Sequence, residues 1–336
     1  MQRTIPTIRA IAAAPVVIWM ENSGLQTRHY VGAEELAALA VEDPLKAIPL
    51  RSLTGLIRDL CRANGPEVPT RIVQDIPDVS LTMMGPFAVP GGVAADALKA
   101  ACRAVPYFSS HEHLLIDQRG DRCVARQFWA ATFDPETLHY IHQYVAAVFE
   151  LFAAEVEAPA FPIQSIELLP HPNLGLGHLQ NRFKTRLKAG KHVLTVNYLP
   201  GTLNARVRGR LNAPKMQPEL PDLQSLRGDG GLAGSVRVVV RAMLEFGQPS
   251  VSNVAKMMGV STRTFQRLLS VENTSFSELL AGCRREAAAD WVELDKGAFM
   301  ELAAALGYSH QSSFTRAIRR WEGMTPTELA RQNRMP

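Results

Sequence analysis

Two sets of polar side chains near the end of the 336-residue chain have the types and spacing to read base edges in nucleic acid. The first is Arg263, Gln266 and Arg267; the second is Gln311, Ser312, Thr315 and Arg316. Arginine can bridge O6 and N7 of guanine, glutamine can pair with adenine, and hydroxyls serve either base. Separations of three and four residues gather each set on one face of a helix. The opposite face is apolar in both: Phe265, Leu268 and Leu269 in the first, Phe314, Ile318 and Trp321 in the second. A solvated helix face has the same composition, so the surrounding elements decide between the two readings.

Those elements repeat. VSNVAKMMGVSTRTFQRLL (251–269) and FMELAAALGYSHQSSFTRAIRRW (299–321) each open with a short apolar helix holding a small residue, Ala255 or Ala303. The small residue lets the next helix cross closely. Gly259 or Gly307 follows four residues later, where a turn needs positive φ. Ser261 is placed to cap the helix that begins at Thr262. The pattern predicts two helix-turn-helix units, the second helix of each lying in a DNA major groove. The inward phenylalanine lies six residues past Gly259 but seven past Gly307, so the second turn is one residue longer.

Further helices complete this module. Residues 235–246 predict a first helix with Val236, Val239, Val240 and Met243 turned inward, stopped by Gly247 and Pro249. Residues 276–294 predict a linking helix whose inner positions are Phe276, Leu279, Leu280, Cys283 and Ala287, with Trp291 as an anchor. Leu302, Ala303, Leu306 and Tyr308 repeat the inward pattern in the second unit. Two heads joined by one helix could enter successive major-groove faces about 34 Å apart.

The first 200 residues read as one α+β domain. Leu53, Leu56, Ile57 and Leu60 give helical spacing within 44–64, and a further helix is expected over 94–104. Residues 114–117 and 122–128 read as strands around a turn at Arg119, Gly120 and Asp121. Asp134 and Pro135 open a long helix over 135–156. Strands follow at 163–169 and 193–198. Prolines and glycines then dominate, so 201–233 is expected to be a linker, with 234–336 as the helical module. Arg206, Arg208, Arg210 and Lys215 in that stretch could touch phosphates, although such runs are usually solvated.

Charge agrees with this division without proving it. From residue 234 onward there are 13 Lys+Arg against 10 Asp+Glu; the preceding residues hold 23 against 22. No apolar run is long enough to span a bilayer, and the apolar stretch 8–20 lacks the flanks of a signal peptide. A cytoplasmic protein is expected. The cysteines, Cys61, Cys102, Cys123 and Cys283, form no CxxC pair, which speaks against a zinc finger or a disulfide framework. His111, Glu112 and His113, and the pair His139 and His142, lack further ligands at diagnostic spacing, so hydrogen-bonded or surface histidines are expected rather than a metal site. No catalytic constellation and no cofactor are expected. An enzyme-like N-terminal domain, or a redox sensor using Cys102 and Cys123, are the alternative classes.

On VAKMMGVSTRTFQRLL, TSFSELLAGCRREAA and LAAALGYSHQSSFTRAIRRWEGMTPTEL, residues 235–330 resemble the DNA-binding domain of the AraC/XylS family of bacterial transcription regulators. The ending GMTPTEL is the most specific part. The resemblance implies base-facing roles for Arg263, Gln266, Arg267, Gln311, Ser312, Thr315 and Arg316. More weakly, the helix at 50–64, the Ala97-Leu98 helix leading to Tyr107-Phe108, and the HPN…NRFK…LKAGKHVLTV segment from His171 resemble the arabinose-binding-like effector and dimerisation domain of the branch containing ornithine and arginine regulators. That implies a double-stranded operator, a small-molecule effector, a homodimer and contact with RNA polymerase as partners, with no membrane.

Overall fold

The computed structural model describes residues 4–83, 92–119, 122–208, 231–246, 249–258, 260–293, 303, 306, 308, 310–325 and 328. It divides into two compact units. One comprises Pro6–Lys46 and Leu50–Leu226; the other comprises Arg227–Pro336 with Met1–Ile5 and Ala47–Pro49.

The first unit is mixed α+β. The apolar stretch near the start folds as a 3-10 turn followed by helix α1 (Ala14–Asn22), burying Val16, Trp19 and Met20. The Trp19 indole N–H donates to Asp75 at 2.9 Å, and the Arg71 guanidinium lies over its ring. Helix α2 (Ala33–Glu42) follows, then α3 (Leu50–Asn64). The α3 helix starts later than the sequence spacing suggests because Ala47–Pro49 is extended, the conformation a proline imposes on its predecessor. Helices α4 (Val68–Asp75), α5 (Pro77–Met83) and α6 (Ala94–Phe108) lead into the sheet.

Five strands build that sheet: β1 (Glu112–Arg119), β2 (Arg122–Trp129), β3 (Ile163–Leu168), β4 (Arg186–Ala189) and β5 (Leu194–Tyr198), in spatial order β1-β2-β5-β3-β4. All neighbours are antiparallel except β3 and β4. A register shift between Ile163 and Ser165 moves the inward face by one residue. Ile163, Ile166 and Leu168 therefore all reach the core. Helix α7 (Pro135–Ala154) packs against β3, β5, α3 and α4. Asp134 caps it by accepting from the Thr137 amide at 2.9 Å, as its sequence position requires.

Residues 202–208, which the sequence places in the linker, are fastened to this unit. The Ala94 amide donates to Ala205, the Glu157 amide to Arg206 and the Arg208 amide to Glu155, at 2.7 to 2.9 Å. The remainder of the expected linker, 209–230 with Arg210 and Lys215, lies outside the described residues.

The second unit is helical where described: α8 (Gly231–Phe246), α9 (Val251–Met258), α10 (Thr262–Val271), α11 (Phe276–Glu293) and α12 (Gln311–Glu322). Helix α8 begins four residues before the sequence expectation because Glu272 supplies a distant cap. Its carboxylate accepts from the amides of Leu232 and Ala233 at 2.9 and 2.8 Å. Two apolar cores result. Leu232, Val236, Val239, Val240, Val254, Ala255, Phe265, Leu269 and Phe276 form the first, and Ala288, Ala303, Leu306, Phe314 and Ile318 the second. Gly259, Gly307 and Leu302 lie outside the described residues, as do the side chains of Met243, Met258 and Trp291.

Candidate nucleic-acid interface and ligand cavity

Each expected reading helix is built from its buried side outward. In α10, Phe265 and Leu269 are fully buried, with Phe265 edge-on to Phe276 at 6.2 Å. That anchoring leaves Arg263, Gln266 and Arg267 exposed on one face. Leu268, expected inward, is only half-buried at the edge of the core. Ser261 accepts from the Thr264 amide at 3.2 Å, so the N-cap read from sequence is present. In α12, Phe314 and Ile318 are buried while Gln311, Ser312, Arg316, Arg319 and Arg320 are exposed. Thr315 is half-buried, and Arg316 lies 3.4 Å from Ser313 Oγ.

The turns before these helices share a closing bond. The Val260 amide donates to Ala255 and the Tyr308 amide to Ala303, at 3.1 and 2.9 Å. Two capping boxes add further starts: Ser275 with Glu278 opens α11, and Thr325 with Glu328 opens the segment after Gly323. Both follow the Ser/Thr-x-x-Glu rule and could have been found in the sequence. Five exposed arginines on two short helices suit a polyanionic surface.

The first unit encloses a cavity of about 280 Å³. Sequence reasoning assigned no residues to it. Its walls come from periodicities the sequence does contain. Helix α7 offers Ile141, Tyr144, Val145, Val148 and Phe152, and α3 offers Leu50, Leu53 and Ile57. Helix α6 contributes Ala97 and Ala101, whose small side chains leave the space open. The β1–β2 hairpin supplies the polar end, because alternation and register put Glu112, Leu114, Gln127 and Trp129 on one face. Gln127 Nε2 donates to Glu112 Oε1 at 3.0 Å. Burial pushes the Glu112 carboxyl up to about 7, against the lowering effect of hydrogen bonds from Gln127 and Ser109. Burial first, then the Glu112 charge, raises the Tyr144 phenol to about 12.

His113 lies on the other face of the strand, stacked on Phe128 at 5.1 Å, while His111 bonds Ser110 Oγ through Nδ1 at 2.6 Å. His139 and His142 are fully buried and hydrogen-bonded. His139 Nδ1 donates to the Leu169 carbonyl at 2.6 Å, leaving Nε2 to accept from Gln143 at 2.7 Å. His142 Nδ1 accepts from the Leu169 amide. Desolvation holds His139 down at about 4 and His142 at about 3. Among the described residues no group of three or more His, Cys, Asp or Glu side chains is arranged to hold a metal ion. Cys102 and Cys123 are unbridged, and burial raises both thiols, Cys123 to about 11, so neither is poised as a thiolate. No helix among the described residues is long and apolar enough to cross a membrane.

Comparison with known proteins matches residues 254–332 to the family "Helix-turn-helix domain". The chain is 35% identical over 105 residues to the HTH-type transcriptional regulator VirS of Mycobacterium tuberculosis, covering 31% of each chain. It is 29% identical over 80 residues to the Ornithine utilization regulator of Pseudomonas aeruginosa, covering 24% of each. The matches thus span about a third or less of the length of these relatives. The crystal structure of transcriptional regulator CdpR from Pseudomonas aeruginosa aligns over 96% of this chain and 98% of its own, at 15% identity and a TM-score of 0.39, too low to carry an argument. The similarity is therefore to a helix-turn-helix domain, in the stretch shared with named transcriptional regulators.

Proposed function

We propose that this chain is a sequence-specific DNA-binding transcription regulator whose binding is controlled by a small molecule held in the cavity of the first unit. The observation that carries the reading is the repeated construction of α10 and α12. Each is pinned by a buried phenylalanine and presents arginine, with glutamine, to solvent. Base-facing roles are assigned to Arg263, Gln266 and Arg267 in one head, and to Gln311, Ser312, Thr315 and Arg316 in the other. Thr315, being half-buried, would make the closest approach with the least freedom.

The effector part rests on the cavity, which has the apolar lining and few convergent polar groups usual in small-molecule sites. A ligand can act only by favouring one arrangement of the protein over another. The resemblance to the ornithine- and arginine-regulator branch supports a sensor, a homodimer and contact with RNA polymerase.

The test is selection of fragments from genomic DNA of the source organism by the purified full chain at a stated salt concentration. Recovery of a shared motif of about two helical turns, lost in an Arg267→Ala/Arg316→Ala double variant, supports the reading. Salt-sensitive binding without sequence preference, unchanged by cell extract as an effector source, refutes it.

A further inference from the structure

We propose that the cavity takes an elongated apolar molecule with an uncharged hydroxyl head, seated against Ser109, Gln127 and Trp129. This rests on the reading of the first unit as a sensor and names the chemistry its ligand must have.

Among the described residues, two buried polar atoms at the polar end have no hydrogen-bond partner, Gln127 Oε1 and Trp129 Nε1, while the Ser109 hydroxyl is turned to the Glu112 carboxyl. Gln127 is 2% exposed, and both it and Trp129 line the cavity. Leaving such buried atoms unpaired forfeits the hydrogen bonds they would make in water. They form a complementary set. The amide oxygen of Gln127 accepts and the indole N–H of Trp129 donates. A hydroxyl offers one donor and two acceptor positions, which answers both.

The donor and acceptor pattern disfavours an ionic head. Glu112 is the only acid and Arg9 the only cation among the lining residues. Arg9 is held by its own bonds, Nε to the Tyr107 carbonyl at 3.1 Å and Nη1 to the Leu45 carbonyl at 2.6 Å. A carboxylate head has no donor for Gln127 Oε1 and would meet the Glu112 carboxyl in a desolvated site; an ammonium head has no acceptor for the Trp129 N–H. The rest of the lining is mostly aliphatic and aromatic, with the hydroxyls of Thr54 and Ser80 as its other polar groups besides Tyr144. The volume of about 280 Å³ suits a ligand of on the order of ten to twenty non-hydrogen atoms.

The experiment titrates the full-length protein with 1-decanol, decanoate and decylamine, reading heat and tryptophan fluorescence. The expected result is saturable binding of 1-decanol, roughly tenfold or more tighter than either charged analogue. Glu112→Gln should narrow the gap between decanol and decanoate. Trp129→Phe, which removes only the donor, should weaken decanol several-fold. Ala101→Trp should abolish all binding, with thermal unfolding confirming a folded chain. Tighter binding of decanoate or decylamine than of decanol overturns the proposal. So does decanol binding indifferent to Ala101→Trp and Trp129→Phe alike, or no binding of any probe. Operator affinity measured on the same samples separates the two levels. Decanol bound at the cavity with operator binding unmoved refutes the sensor reading while the ligand chemistry stands. Operator binding that responds to extract, with no probe entering the cavity, refutes the chemistry alone.

Discussion

Tyr308 stands in the second reading head where Val260 stands in the first. Each amide closes the turn by donating to the carbonyl five residues back, Tyr308 to Ala303 and Val260 to Ala255. Helix α10 then begins two residues after Val260, and α12 three residues after Tyr308. The extra residue of the second turn therefore falls after the closing bond, next to His310. That position lacks the side-chain cap that Ser261 provides in the first head. The aromatic ring is the compensation: Tyr308 packs edge-on to Phe314 at 5.7 Å and lies beneath Arg284, whose Nε donates to the Leu306 carbonyl at 2.8 Å.

This asymmetry predicts opposite responses at the two helix starts. Ser261→Ala should destabilise the helical unit by about 1 kcal/mol. His310→Ser, at a backbone already extended (φ −138°, ψ 133°), should stabilise it by roughly 0.5 to 1 kcal/mol. Urea unfolding of the full chain, followed by circular dichroism, checks both. Equal destabilisation by the two substitutions would show that His310 serves as a cap in another way.

The arginines of the reading faces divide by what they touch. Arg267→Ala and Arg316→Ala should each cost roughly 1 to 3 kcal/mol of operator affinity and relax sequence preference at one position, if each pairs with guanine. Arg319→Ala, further round α12 and expected at the phosphates, should weaken all sequences alike and lower the salt slope by about one. Competition binding with single-base operator variants at two salt concentrations separates the cases. A uniform loss from Arg267→Ala would move that residue from base to phosphate.

Much of this architecture was readable in advance, because it depends on local rules. The Asp134 and Ser261 caps, the buried Phe265 and Phe314, and the exposed Arg263, Gln266 and Arg267 follow from helical periodicity and hydrogen-bonding side chains. What was missed depends on residues far apart in the chain. The cavity joins Arg9, Ala101, Glu112, Gln127 and Tyr144 from five separate elements, and no local pattern records that they converge. The early start of α8 has the same cause, since its cap is Glu272, about 40 residues away. The attachment of residues 202–208 to the first unit was hidden because proline and glycine content reports backbone freedom, not the partners a segment finds.

Glu272 offers a direct test of that long-range cap. Glu272→Ala should leave the first amides of α8 without a protein acceptor and cost about 1 kcal/mol, with Glu272→Gln intermediate because an amide oxygen still accepts. Hydrogen exchange should show faster exchange at Leu232 and Ala233, and little change in α12. Unchanged exchange at these two amides would mean that solvent satisfies them as well as the carboxylate does.

The buried imidazoles of α7 make stability depend on pH. His139 and His142 are held below their ordinary value of 6.5, to about 4 and about 3, by desolvation. Between pH 6.5 and about 4 the unfolded chain binds protons that the folded chain refuses, so stability is full above 6.5 and falls as the medium is acidified. Each imidazole contributes a slope of up to about 1.4 kcal/mol per pH unit. Glu112 acts in the opposite sense, since a carboxyl raised to about 7 takes its proton first in the folded state. The two effects separate by substitution. Urea midpoints measured from pH 7 to 4.5 should fall steeply for the unaltered chain, and less steeply for His139→Gln/His142→Asn at a lower starting stability. In Glu112→Gln the fall should be steeper, because the opposing proton uptake is gone. A slope unchanged by the histidine substitutions would assign the acid sensitivity to carboxylates elsewhere.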